Sequence, residues 1–250
     1  MSKTASDIVI QAIDGGRFSA YLSKAASPSA PGLVLMQYIC GVNRVMRAIA
    51  DDFASRGYHA IVPDLFWRQQ PNVRLIDDPA RPTNEEQQKA LALNAAFDDD
   101  YGAADLVATI RWLRSSSGCS GKVGTLGYCL GGRLAYLMAA RSDADCNIGY
   151  YGVNIEKYLG ESARIGYPLM LHVAGRDELS TNVTRAQIRQ SLENQPLVSI
   201  YTYDEVGHAF ALPGGRNFNA EAAELANRRS SQFLARHLNH SQSIPVGSDR

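Results

Sequence analysis

The chain has 250 residues, of which 45% are hydrophobic and 20% charged, and its 25 basic and 25 acidic residues give a formal net charge of +0. This composition fits a globular domain that can bury a sizeable core, and without a basic surplus we expect neither nucleic acid nor a membrane surface as a partner. No apolar stretch approaches the roughly 20 residues of a membrane span, and the polar N-terminus lacks the apolar segment of a secretion signal, so we expect a cytoplasmic protein.

Alternating strands and helices are predicted along most of the chain. Two short alternating segments at 8–13 and 17–22 flank Asp14-Gly15-Gly16, which predicts an antiparallel hairpin. Hydrophobic runs and periodicity then predict strands at 32–36, 59–62, 122–128, 147–151, 168–173 and 198–203, and helices at 43–56, 85–113 with a bend near 97–102, 130–141, 181–194 and 219–237.

This order favours parallel strands joined by crossover helices, because a strand, a helix and a further strand form a βαβ unit. We therefore predict an α/β fold with a mostly parallel central sheet of about seven to eight strands and helices on both faces. A single domain is expected over residues 1–238. The polar segment 239–250 is expected to be a mobile tail, and 67–84 a surface loop near the site.

The sequence Gly127-Tyr128-Cys129-Leu130-Gly131 is a Gly-x-nucleophile-x-Gly elbow with sulfur in place of the usual serine oxygen. It lies between a predicted strand and a predicted helix, where flanking glycines are needed because side chains would meet neighbouring backbone. The N-terminus of the helix favours a thiolate. A small buried cysteine in a tight turn is the alternative, so the motif needs an acid and a base downstream.

Both partners follow in the chain order of the α/β-hydrolase fold, which is nucleophile, acid, base. Asp177 lies after the strand at 168–173 and His208 after the strand at 198–203, so both are predicted beyond the carboxyl ends of strands, where open α/β sheets place their sites. His208 can accept the proton of Cys129, and Asp177 can orient the imidazole. Taken alone, Asp177 also suits a helix N-cap and His208 an ordinary loop.

With these residues identified, the chain resembles the dienelactone hydrolase family, the carboxymethylenebutenolide hydrolases, from about Gly32 to Leu234. The resemblance implies an α/β-hydrolase fold, a triad of Cys129, His208 and Asp177, an oxyanion hole of the backbone N–H groups of Ile39 and Leu130, a small-molecule substrate, and no cofactor or metal. It is carried by the elbow and by Ile39-Cys40-Gly41-Val42-Asn43, Val62-Pro63-Asp64-Leu65-Phe66, Tyr150-Tyr151-Gly152-Val153 and Val206-Gly207-His208-Ala209-Phe210.

Four positions depart from the family pattern. Tyr38 stands where the family has a glutamate that helps to generate the thiolate. Gln87 and Leu212 replace two arginines that bind the substrate carboxylate, and Leu91 replaces a tyrosine. Because a charge-assisted hydrogen bond contributes about 1.5–3 kcal/mol, we expect a neutral or more apolar ester, thioester or lactone as substrate. Tyr151, after a sheet strand, is a further candidate for the pocket lining.

Several alternatives remain open from the sequence. The chain is either a thiol-dependent hydrolase that forms an acyl-enzyme, a feebly active ligand-binding protein on the same scaffold, or an enzyme of acyl transfer or carbon–halogen hydrolysis. Arg133, one helical turn after Cys129, either favours the thiolate or pairs with a carboxylate. Cys40 is either an ordinary buried thiol or a redox partner of Cys129. The oligomeric state is not predicted.

Overall fold

The computed structural model describes residues 4–239. The tail predicted at 239–250 lies outside the described residues except for Asn239. Within the described part, one sheet of eight strands forms the centre of the molecule. The strands are β1 (Thr4–Gln11), β2 (Arg17–Lys24), β3 (Ala30–Met36), β4 (His59–Pro63), β5 (Cys119–Tyr128), β6 (Cys146–Tyr150), β7 (Leu169–Ala174) and β8 (Val198–Tyr203).

The strand order across the sheet is β1-β2-β4-β3-β5-β6-β7-β8. The hairpin strand β2 pairs antiparallel with β1 and β4, and every pair from β4 to β8 is parallel. The carboxyl ends of β3, β5, β7 and β8 therefore lie along one edge of the sheet. This arrangement confirms the predicted mostly parallel α/β sheet.

Helices cover both faces of the sheet. Apolar side chains of α1 and α6 pack in one buried cluster, and those of α3, α4 and α5 pack in a second cluster on the opposite face. The helices are α1 (Arg44–Ser55), α2 (Asn84–Ala95), α3 (Asp99–Ser115), α4 (Leu130–Arg141), α5 (Asn182–Leu192) and α6 (Ala220–Leu238), with a 3-10 helix at Ile155–Arg164.

The helix predicted at 85–113 is divided into α2 and α3 near the expected bend. The Asp98 side chain accepts hydrogen bonds from the N–H groups of Asp100 (2.9 Å) and Tyr101 (3.0 Å), so it caps a new helix rather than continuing the old one. The 3-10 helix was not predicted. No helix in residues 4–239 is long and apolar enough to cross a bilayer.

Candidate active site

Cys129 lies at the turn from β5 into α4. Its backbone has φ 55° and ψ −108°, a left-handed conformation that a non-glycine residue rarely adopts. Its N–H donates to the carbonyl of Tyr150 (3.0 Å), and its own carbonyl accepts from the N–H of Arg133 (3.2 Å). The strained residue is thus held on both sides, with its side chain at the helix N-terminus.

The elbow requires glycine at both flanking positions because backbone approaches closely there. A Cβ atom on Gly127 would lie 2.1 Å from the carbonyl oxygen of Gly131, and one on Gly131 would lie 2.3 Å from that of Met36. No side chain can be inserted at such distances without moving the main chain. The glycines read from the sequence are therefore a steric requirement of this turn.

The structure brings the three predicted side chains of the triad together. His208 Nδ1 donates to Asp177 Oδ2 at 2.9 Å, and the imidazole lies close enough to the Cys129 sulfur for the charge of that sulfur to raise the pKa of His208. All three residues are buried, with 6–8% of their surfaces exposed. A nucleophile, a base and a carboxylate linked in this sequence can perform nucleophilic acyl chemistry.

The loop that carries Asp177 is held by a residue that the sequence did not reveal. The Arg185 guanidinium, from the first turn of α5, donates to the carbonyls of Asp177 (3.2 Å), Gly175 (2.6 Å) and Ser180. The Asp177 carboxylate also accepts from the N–H of Leu179 (2.9 Å). Nothing in the spacing of Arg185 indicates this role, since it depends on α5 folding back over the end of β7.

The His208 loop is fixed in a similar way. Asn217 Nδ2 donates to the His208 carbonyl at 2.9 Å, and Ala209 adopts φ 64° so that the chain turns immediately after the histidine. Asn217 was also not identified from the sequence. Its contact is an amide-to-backbone bond across nine residues, for which no sequence motif exists.

The electrostatic surroundings favour a charged imidazole. Burial opposes protonation of His208, but the negative charge of Cys129 and the hydrogen bond to Asp177 outweigh it and raise the pKa of His208 to about 10. A protonated His208 beside Cys129 is the acid that a departing group needs.

This raised pKa can be measured on the imidazole itself. An ordinary imidazole titrates near pH 6.5, whereas His208 is expected to keep its proton until about pH 10. We expect NMR titration of the His208 ring to give a lower pKa in Cys129→Ala, which lacks the sulfur charge, than in wild type. Equal pKa values in the two proteins would contradict the assignment.

The proposed oxyanion donors lie at two neighbouring strand ends. Leu130 begins α4 directly after Cys129, and Ile39 follows the adjacent strand β3. Among residues 4–239, neither N–H donates a hydrogen bond to the protein, whereas the next amide in α4, that of Gly131, is used by the carbonyl of Gln37 (3.1 Å). Two N–H groups without a protein acceptor, at neighbouring strand ends, suit the oxyanion role expected from the resemblance.

Comparison with known proteins agrees with this fold and arrangement. The model of the dienelactone hydrolase family matches residues 18–238. The chain belongs to the dienelactone hydrolase family. This membership confirms the predicted family and the predicted class of enzyme, a hydrolase that acts on ester bonds, lactones included.

Individual relatives cover nearly the whole chain. A protein of Azospirillum brasilense, provisionally named a carboxymethylenebutenolidase, is 43% identical over 243 residues, which are 93% of this chain and 99% of the relative. The carboxymethylenebutenolidase of Pseudomonas putida is 40% identical over 228 residues, covering 91% and 95%. A solved structure from Klebsiella pneumoniae, provisionally named a dienelactone hydrolase, has a TM-score of 0.81 at 22% identity and covers 94% of this chain and 99% of its own.

The positions that depart from the family pattern border the site to different degrees. Leu212 is buried in the apolar cluster that contains Cys129, whereas Leu91 is 59% exposed on α2. Gln87 is half-buried in the first turn of α2, beside Glu86. Glu86 accepts a hydrogen bond from the N–H of Ile76 (2.9 Å), which connects this turn to the loop between β4 and α2.

Tyr38 is buried, and its hydroxyl accepts a hydrogen bond from Asn43 Nδ2 at 2.7 Å. Burial, followed by the charges of Cys40 and Cys129, raises the pKa of Tyr38 far above its usual range. At the position where the family resemblance places a glutamate, this chain therefore has a neutral phenol that cannot act as a base near neutral pH.

The contacts of Arg133 and the surroundings of Cys40 bear on two further alternatives. Arg133 pairs with Asp99 (Nη2 to Oδ1, 3.0 Å) and donates to the Val153 carbonyl (3.3 Å). Of the two alternatives, these contacts favour pairing with a carboxylate inside the fold. Cys40 and Cys129 are both free thiols. Burial, and then the charge of Cys129, raises the pKa of Cys40 well above its usual range, which makes it a poor nucleophile.

Proposed function

We propose that this protein hydrolyses a neutral ester, thioester or lactone through Cys129, His208 and Asp177. The observation that carries the proposal is the hydrogen bond between Asp177 and His208, with the imidazole close to the Cys129 sulfur at the carboxyl edge of the sheet. The names of the carboxymethylenebutenolidase relatives support the same reaction class.

In the first half of the reaction, the Cys129 sulfur attacks the carbonyl carbon and the carbonyl electron pair moves to oxygen. The N–H groups of Ile39 and Leu130 donate to that oxyanion. The tetrahedral intermediate then collapses as protonated His208 gives its proton to the departing oxygen, or to the sulfur of a thioester. The products of this half are the freed alcohol or thiol and a thioester on Cys129. With a lactone, the freed alcohol stays attached to the acyl group.

In the second half, His208 is neutral and takes a proton from water. The resulting hydroxide adds to the thioester, and the intermediate expels the Cys129 thiolate, which restores the starting charge pair. Asp177 accepts from Nδ1 throughout, so that Nε2 faces the reacting atoms and the imidazolium is stabilised whenever it forms. No other group is required for the balance of protons.

The surroundings favour a neutral substrate over an anionic one. Leu212 supplies no charge beside the sulfur. Gln87, in the first turn of α2, is likewise uncharged. A substrate carboxylate would therefore meet neither of the two arginines expected from the family.

We predict that p-nitrophenyl acetate is turned over with a higher kcat/KM than the anionic dienelactone. Restoring both cations with Gln87→Arg and Leu212→Arg is expected to raise kcat/KM for dienelactone at least about 10-fold, because one charge-assisted hydrogen bond contributes about 1.5–3 kcal/mol. Steady-state kinetics of wild type and of the double variant, with the melting temperature of each, provide the test.

Leu212→Met is the matched control, since it changes the same buried side chain without adding charge. The proposal of a neutral substrate fails if wild type prefers dienelactone. The proposal of a hydrolase fails if neither ester nor lactone is turned over more than once per protein molecule, an outcome that favours the ligand-binding alternative.

A further inference from the structure

The Tyr151 hydroxyl is a buried polar group without a partner. Tyr151 is 2% exposed, and its oxygen has no hydrogen bond in the described structure. A buried hydroxyl that loses water without gaining a partner is destabilising, so native proteins rarely retain one without a function. The neighbouring Tyr150, equally buried, follows the ordinary pattern: its hydroxyl bonds Asn227 (2.9 Å) and Ser230 (2.7 Å).

The position of Tyr151 is held against conformational strain. Its backbone has φ 37°, a rare conformation for an aromatic residue, and its N–H donates to the His172 carbonyl at 2.7 Å. The ring packs edge-on against His208 (centroids 5.1 Å apart) and Phe210 (5.5 Å). The ring is therefore fixed beside the imidazole of the triad.

Tyr38 supplies a second hydroxyl in the buried cluster that also contains Cys129 and Tyr151. Its oxygen accepts from Asn43, which is itself anchored by the carbonyls of Leu75 (2.9 Å) and Ile76 (3.1 Å). Within residues 4–239, no acceptor receives the hydroxyl hydrogen of Tyr38. Burial and then neighbouring charges, Cys129 among them, raise the pKa of both Tyr38 and Tyr151, so both remain protonated donors near the sulfur.

We propose that the Tyr38 and Tyr151 hydroxyls donate hydrogen bonds to a second oxygen of the substrate, an ether or carbonyl oxygen close to the scissile ester. This proposal rests on the proposed hydrolase function and refines its substrate class. The Tyr151 hydroxyl is bonded neither to Cys129 nor to any other group in the described residues. The donors are therefore available to a ligand rather than to the nucleophile.

A neutral acceptor suits these donors better than a carboxylate. Both phenols are uncharged, and a carboxylate buried beside them would lie close to the negative sulfur, while the charged imidazole of His208 is already offset by that sulfur and by Asp177. An ether or ketone oxygen accepts the same hydrogen bonds without that cost. The enzyme is thus expected to prefer esters with such an oxygen over plain alkyl esters of the same shape.

The test compares p-nitrophenyl methoxyacetate with p-nitrophenyl butyrate, in which a CH₂ group replaces the ether oxygen. The measured quantity is the ratio of their kcat/KM values, divided by the ratio of their rates of hydrolysis by hydroxide, which removes the intrinsic reactivity of the ether ester. We expect a normalised ratio above 1 in wild type. Tyr151→Phe and Tyr38→Phe should each lower it about 2- to 12-fold, the effect of one hydrogen bond.

Tyr150→Phe is the matched control, because it removes a neighbouring buried hydroxyl that already has partners, and it should leave the ratio unchanged. A normalised wild-type ratio of 1 overturns the proposal, and this measurement needs no variant to fold. It is also overturned if both Tyr→Phe variants keep the wild-type ratio, or if Tyr151→Phe changes only the pH dependence of Cys129 alkylation by iodoacetamide. If wild type hydrolyses neither ester, the proposed hydrolase function itself fails.

Discussion

Cys129→Ala is expected to reduce kcat/KM for p-nitrophenyl acetate by at least about 10⁴-fold. The sulfur is the atom that bonds to the substrate, and members of such a triad act as a unit, so that removal of the nucleophile forfeits nearly all of their joint effect. The residual rate should come from the N–H groups of Ile39 and Leu130 and from binding alone. Steady-state assays of wild type and variant, at matched and verified folded concentration, give the comparison.

Cys119→Ala is the matched control. Cys119 is a free, half-buried thiol at the start of β5, the strand whose opposite end leads into Cys129. Its removal should leave kcat/KM within about 2-fold, because a surface substitution away from special features has a small effect. Substantial multiple turnover by Cys129→Ala would contradict the assigned nucleophile. One acyl group bound per wild-type protein, without release, would favour the ligand-binding alternative.

The parts of the site that could be predicted are those determined by local sequence. The elbow at Cys129 needs glycines that no other residue can replace, and such a requirement is visible as a motif. Asp177 and His208 each follow an apolar strand, and parallel strands bring their carboxyl ends to one edge. The hairpin and the helix at 130–141 were predicted for the same reason, since turn glycines and helical periodicity are short-range signals.

The parts that could not be predicted depend on how elements pack together, or on which of several local roles a side chain takes. Arg185 reaches three carbonyls of the Asp177 loop only because α5 packs beside β7. Whether the Tyr151 hydroxyl has a hydrogen-bond partner depends on all the side chains packed around it, and a sequence motif does not specify those neighbours. The break between α2 and α3 was predicted as a bend. Its cause is the N-cap formed by Asp98, and the sequence alone does not show whether an aspartate in a helical pattern caps a new helix or continues the old one.

Asp177→Asn is expected to lower kcat by about 10³- to 10⁴-fold while the fold is retained. Asparagine has the same shape, but its amide can donate to Nδ1, which favours the imidazole tautomer with its proton on the wrong nitrogen. The substitution also removes one of the causes that raise the pKa of His208. The fall should therefore be greatest at high pH, where wild type still has a charged imidazole to protonate the departing group and the variant has lost it, and a pH–rate profile of both proteins measures it.

Glu178→Gln is the control for charge, since it removes one negative charge from the adjacent residue. Glu178 Oε2 lies 3.5 Å from the backbone nitrogen of His208 and does not contact its ring. If loss of activity in Asp177→Asn arose only from a change in local potential, the two variants would be impaired alike. A deficit confined to Asp177→Asn means that the carboxylate acts through its bond to Nδ1, whereas equal deficits would remove Asp177 from the triad and leave Cys129 and His208 as a dyad.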